Sequence, residues 1–274
     1  MQPSPKADIF YGAQIDLQTR ITCNLFLLCP NNSGSTFLSK AIGTSPDVWS
    51  LPREGQHALG YVGAITQNEN GLTWAASQSA LERVTNPKDF DWAQNQKTWY
   101  FQAQARSDKA KVFFTKAPPF LAYPEMLAGQ FANTRFVIMV RNPYAMIEGI
   151  MRGNSRLFAD QNQLLDIAVD HTLACLHMQR RNQETYTRVS CFFTYEEMCR
   201  APDTIAQKIK TLIPEIATLT LDQKLPVKQH YDEPLRDMND AQIARLSPEQ
   251  FERISNRLKP HASLLAHFGY GILC

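Results

Sequence analysis

The sequence predicts a three-layer α/β fold, a central and mostly parallel sheet flanked by helices. Three observations carry that prediction. Short apolar segments alternate with helical ones along the chain, the order that parallel sheets impose. The clearest of them, Thr134–Val140 (TRFVIMV), is short, rich in β-branched residues and largely apolar, as a strand buried on both faces is. Polar motifs recur where these segments stop, and ligands of open α/β sheets bind beyond the carboxyl ends of the strands.

Residues 1–20 are polar and proline-bearing and read as a loose leader, which leaves residues 21–274 as a single domain. The first strand spans 25–29 and stops at Pro30. The turn Asn31-Asn32-Ser33-Gly34-Ser35-Thr36 follows, then a helix over 37–43 that ends at Thr44-Ser45-Pro46-Asp47. A short strand over 48–51 leads into Pro52-Arg53-Glu54-Gly55-Gln56-His57. Residues 66–108 are rich in Gln, Asn and Trp without strong periodicity, and read as an insertion holding one or two helices. A third strand, 111–115, is broken by Lys116-Ala117-Pro118-Pro119. Strand 134–140 ends at Arg141-Asn142-Pro143, before a helix over 144–156. A long helix covers 163–181, with Leu164, Ala168, Cys175 and Met178 as its core stripe. The last strand, 189–193, precedes Tyr195-Glu196-Glu197-Met198, and the remainder is helical with proline breaks.

Composition narrows the function classes. The chain has 274 residues, 44% hydrophobic and 20% charged, which suits a globular protein with a substantial core. Its 28 basic and 26 acidic side chains leave a net charge of +2, so overall charge gives no reason to expect a nucleic-acid partner. The six cysteines form no Cys-x-x-Cys pair, which argues against a zinc site, and they read as reduced, in keeping with a cytoplasmic protein. No run of about 18 apolar residues is present, so no membrane span is expected.

The turn after the first strand points to an anionic ligand. Successive N–H groups at such a turn, with a helix start behind them, form a concave anion site. Gly34 lets the backbone approach the ligand, and Ser33, Ser35 and Thr36 offer hydroxyls. The loop lacks the Gly-Lys-Ser/Thr of a Walker A motif, which disfavours an ordinary P-loop kinase or GTPase. A plain strand-to-helix turn with a serine cap is the simpler reading of the same residues.

Taken in order, the strand-end motifs resemble those of the sulfotransferases, which use 3′-phosphoadenosine 5′-phosphosulfate (PAPS) as sulfuryl donor. PNNSGSTFLSKAI is similar to the family's 5′-phosphosulfate loop and VIMVRNPYAMIEGIMR to its 3′-phosphate motif. FFTKAPP resembles the Lys-x-Pro segment of carbohydrate and tyrosylprotein sulfotransferases and their bacterial relatives. FFTYEEM and the tail ISNRLKPHASLLAHFGY also resemble family segments. The resemblance spans about residues 22–270, with 66–108 unmatched. It implies a P-loop-like version of the fold, PAPS as co-substrate and no metal. Direct in-line transfer to a hydroxyl of a glycan or small-molecule acceptor is then expected. An atypical nucleotide-dependent kinase, or a non-catalytic nucleotide-binding module of the same fold, stands as the alternative.

The resemblance also implies roles. Asn32, Ser33, Gly34, Ser35, Thr36 and Phe37 would surround the 5′-phosphosulfate. Arg141 would grip the 3′-phosphate bidentately, a structural salt bridge being its ordinary alternative. Lys116 would neutralise the transferred group, and Glu54 would take the acceptor's proton, with His57 one turn on as second candidate. Tyr195 would stack on adenine or serve as a core-edge tyrosine. Two positions depart from the pattern. Asn32 stands where many members carry Lys or Arg, and Gly149 where they often carry Ser, a contact that Arg152 is placed to replace. Trp74, Trp92, Trp99 and Tyr100 are either an acceptor platform or the packing of a lid.

Overall fold

The computed structural model describes residues 9–64, 72–226 and 232–273. Seven strands form one mixed sheet: β1 (Phe10–Tyr11), β2 (Cys23–Leu28), β3 (Val48–Ser50), β4 (Gln104–Ala105), β5 (Val112–Lys116), β6 (Thr134–Val140) and β7 (Ser190–Thr194), in the order β1-β4-β3-β5-β2-β6-β7. The five strands from β3 to β7 run parallel. At the other edge β4 and β1 pair antiparallel.

Strand alternation divides the core in two. Leu25, Leu27, Val112, Phe114, Val137 and Met139 face the helices Ser35–Gly43 and Pro202–Leu212. Phe26, Leu28, Phe113, Phe136 and Ile138 face an aromatic layer built on Trp99, Phe120 and Phe131. Both faces of the middle strands are thus apolar, which is why they read as continuous hydrophobic runs. A third cluster joins the helix Pro143–Asn154 to Gln161–Thr185 and Pro248–Leu258. Where β2 and β6 end, the Gln179 amide donates to the carbonyls of Leu28 (2.7 Å) and Met139 (3.0 Å), which closes the core beneath the crevice.

One expectation changes and one alternative is decided. Residues 9–20 of the expected leader are folded: Phe10 and Tyr11 pair with Ala105 and Gln104, and Leu17 is buried. Residues 1–8 lie outside the described residues. The insertion, described from residue 72, supplies the helices Gln78–Thr85 and Trp92–Gln102 together with β4. Its aromatic residues form no open platform. Trp74, Trp99 and Tyr100 are buried, Trp99 donates to the Gly55 carbonyl (3.0 Å), and Trp92 stacks on Phe90. Apolar rings of this size go to the core when the sheet face beneath them is bare, as it is between β5 and β2. The stripe on the long helix is core as expected, with Met178 partly exposed at its end.

Candidate active site

The loop after β2 turns on two residues in the left-handed region, Asn32 (φ 58°) and Gly34 (φ 80°). Such turns aim neighbouring N–H groups into one concavity. At Gly34 glycine is required twice over, since a Cβ there would lie 2.5 Å from the Tyr195 ring. Gly34 caps the helix Ser35–Gly43 and no side chain does, so the first-turn N–H groups remain available to a ligand. The simple serine-cap reading therefore does not hold. Phe37 turns its ring into the core, which leaves its first-turn N–H as the group it can offer.

Lys116 ends β5 and Glu54 follows β3, its parallel neighbour. Their side chains meet, Nζ to Oε1 at 2.8 Å, and Lys116 Nζ also donates to Ser35 Oγ at 3.4 Å. Burial alone would lower the Lys116 ammonium. The Glu54 carboxylate beside it acts the other way through its charge and its hydrogen bond, and the ammonium is held above its ordinary value. Lys116 and Glu54 thus form an ion pair within the site. Gln56 donates to Glu54 Oε2 (3.4 Å), and His57 Nε2 lies 3.9 Å from the same oxygen, so His57 stands one shell behind the carboxylate.

Arg141 follows β6 and is buried. Its Nε donates to Asn239 Oδ1 (2.7 Å) and its Nη1 to the Asn32 carbonyl (3.1 Å), while the guanidinium rests 4.3 Å over the Tyr195 ring. Tyr195 donates its hydroxyl to the Arg236 carbonyl (2.7 Å), and burial pushes its phenol well up. The ring thus backs Arg141 rather than presenting an open face. No salt bridge satisfies Arg141 among the described residues, and its Nη2 has no partner, nor do Asn32 Nδ2 and Ser33 Oγ. Leaving a buried donor unpaired costs about 1–3 kcal/mol. Three such donors around one loop suit a ligand with several anionic oxygens.

One cavity of about 170 Å³ gathers these groups, lined by the loop, Glu54, Lys116, Pro118, Arg141 and Gln242. Two of its supports carry no signal in the sequence, being single amides in a polar stretch: Asn239, which holds Arg141, and Gln242, which donates to Glu148 Oε2 (2.9 Å). Glu196, in the segment after β7, accepts from the Asn142 N–H (2.9 Å), the Asn239 amide (2.6 Å) and the Tyr270 hydroxyl (2.7 Å). It ties the ends of β6 and β7 to the tail.

The two departures in the sequence touch each other. A Cβ at residue 149 would lie 2.8 Å from Asn32 Cγ, so the Asn32 side chain occupies the space that a serine would need. Gly149→Ser is expected to displace Asn32 and to lower stability by about 1–3 kcal/mol, as overpacking does. Denaturant unfolding reads the loss, and Asn32→Gly in the same chain should restore it. A loss that the second change leaves intact would show that this contact is not its cause. Arg152 departs from expectation. Its guanidinium is engaged by Glu148 (Nε to Oε1 at 2.8 Å) and the side chain is about half exposed, so it is not aimed at the cavity. An i, i+4 acid on the same helix captures it first.

The insertion reaches the loop through Trp74, whose Nε1 donates to Asn31 Oδ1 at 2.8 Å. Behind it His171 packs edge-on against the indole, and its Nδ1 accepts from the Ala75 N–H at 3.1 Å. Burial lowers His171 from 6.5 to about 3, so it is neutral when folded. The unfolded chain binds a proton there that the folded chain refuses. Stability should therefore be complete above pH 6.5 and fall as pH drops from 6.5 toward about 3. Urea midpoints at successive pH values test this, and His171→Gln should flatten the acid side.

Residues 24–213 match the sequence profile described as the sulfotransferase family. Among curated proteins no sequence matches. Three solved structures share the fold. A sulfotransferase from Mycobacterium avium has a TM-score of 0.54 at 14% identity, covering 91% of this chain and 77% of its own. One from Alicyclobacillus acidocaldarius scores 0.52 at 12%, covering 89% and 94%. The sulfotransferase domain of a Synechococcus olefin synthase scores 0.51 at 15%, covering 86% and 94%.

Proposed function

The chain belongs to the sulfotransferase family, and from that membership we propose that it transfers a sulfuryl group from PAPS to a hydroxyl of a glycan or small-molecule acceptor. One observation carries this reading. An anion-binding loop, an under-satisfied arginine and a lysine–carboxylate pair line the same cavity. When bound, PAPS supplies an activated sulfuryl group flanked by phosphates. The chain's own donors fit such a ligand: the first-turn N–H groups with Ser33, Ser35 and Thr36 for the 5′ end, and Arg141 for the 3′-phosphate. Asn32 passes its carbonyl to Arg141 and so joins the two.

Glu54 holds the position of a general base, taking the acceptor's proton at a carboxylate oxygen. Lys116 restrains that carboxylate before donor binding and offers its charge to the oxygens of the transferred group afterwards. Its contact with Ser35 Oγ already places the ammonium at the loop. We place the activity in the cytoplasm. The five described cysteines are free, and no described helix is long and apolar enough to cross a membrane.

The test is calorimetric titration with adenosine 3′,5′-bisphosphate, with ATP and magnesium in parallel. Micromolar bisphosphate binding is expected. ATP binding in its absence would overturn the reading in favour of a kinase-like enzyme.

A further inference from the structure

A second cavity, of about 350 Å³, borders the donor cavity at the Glu54–Lys116 pair. Its volume falls within the roughly 300–1,000 Å³ of small-molecule sites. The two cavities share Thr36, Glu54 and Lys116 and otherwise diverge, one toward Arg141, the other between the helix Ser35–Gly43 and the end of β3. A group in the second cavity therefore reaches Glu54 and Lys116 without entering the part of the donor cavity that Arg141 lines. A hydroxyl held there lies beside the base that the reaction needs.

The lining defines the class of acceptor. Phe114 and Leu51 provide an apolar floor, and Thr36, Ser39 and Thr115 supply hydroxyls. Thr115 is 2% exposed and its Oγ1 has no partner among the described residues. Four lining residues are charged: Lys40, Arg53, Glu54 and Lys116. Glu54 and Lys116 neutralise each other. Lys40 donates to the Pro226 carbonyl, and neither it nor exposed Arg53 forms an ion pair among the described residues. Among the described residues the cavity therefore carries two cations without an ion-pair partner and no unpaired anion.

We propose that this cavity is the acceptor site and that it selects a hydroxyl compound bearing a second, anionic group, with Arg53 as the residue that reads it. The inference rests on the sulfotransferase reading of the donor cavity. In the reaction so arranged, the acceptor O–H proton passes to the Glu54 carboxylate as the new O–S bond forms. The bond from sulfur to the bridging phosphate oxygen breaks, and that phosphate leaves with the electron pair. Arg53 touches only the acceptor's anion and is a specificity-determining residue.

The test uses matched probes on the full chain, with and without saturating adenosine 3′,5′-bisphosphate: benzyl alcohol against 4-(hydroxymethyl)benzoate, and glucose against glucuronate. Calorimetric or ligand-observed NMR titration should show the acids binding about tenfold tighter than their neutral partners, the value of one charge-assisted contact. Arg53→Gln should erase that preference and leave bisphosphate affinity unchanged. The aryl and sugar pairs distinguish a small aromatic acid from an acidic saccharide. Equal affinity within both pairs, no binding by any probe, or a preference that survives Arg53→Gln would overturn the proposal. Failure of the bisphosphate itself to bind would instead sink the sulfotransferase reading, and the titrations without bisphosphate would still decide the anion preference.

Discussion

Glu54→Gln is expected to lower kcat by about 10²- to 10⁴-fold, the usual contribution of a positioned general base. The affinity for adenosine 3′,5′-bisphosphate should stay within a few-fold of the parent value. The substitution keeps the size and the hydrogen-bonding reach of the side chain, so Lys116 retains a partner at the carbonyl oxygen. What it removes is the group able to accept a proton where the two cavities meet. A loss confined to kcat marks an interaction used in the transition state, whereas a rise in KM alone would indicate a binding role. His57→Gln separates the two candidate bases. His57 reaches the site only through Glu54 and Gln56, so its replacement should cost less. Full activity of Glu54→Gln at saturating acceptor, or a larger loss at His57, would remove Glu54 from the role of base.

Arg141→Ala is expected to weaken bisphosphate binding by about 100-fold or more. Charge-assisted hydrogen bonds are worth roughly 1.5–3 kcal/mol each, and a guanidinium can make two to one phosphate. The residue also holds the Asn32 carbonyl, so its loss should loosen the loop at the other end of the ligand. Arg141→Lys refines the test. It keeps the charge and loses the fork, so affinity should fall between those of parent and alanine variant. Binding of the parent and both variants is read by the same titration, with thermal midpoints to show that each is folded. An alanine variant that binds as tightly as the parent would place the 3′-phosphate elsewhere.

The sequence was most informative where side-chain burial is total. Strand 134–140 is legible to the residue, because from Phe136 to Val140 both of its faces are covered and every side chain is apolar. Arg141 and Lys116 stand out in the sequence because a charged residue at the end of a buried strand must have a partner, whereas Glu54, in the loop after β3, stands out only through the family resemblance. Other positions depend on contacts between distant segments. Asn239 and Gln242 matter through Arg141 and Glu148, residues about ninety to a hundred positions earlier in the chain. Arg152 is turned from the cavity by Glu148, one turn back, a competitor that the spacing of the two residues already contains. The tryptophans were ambiguous because a ring suits a sugar platform and a core equally well, and only the sheet beneath them decides.

The antiparallel pair at the sheet's edge limits how freely the insertion can be exchanged. Gln104 and Ala105 cover β3, and Phe10 and Tyr11 in turn cover them. Exchanging this segment for another that lacks those few residues would uncover hydrogen-bonding groups of Val48–Ser50, an open template for a second chain. Segment exchange thus carries a solubility risk located at one dipeptide, and a chimera that keeps Gln104–Ala105 starts with that edge protected.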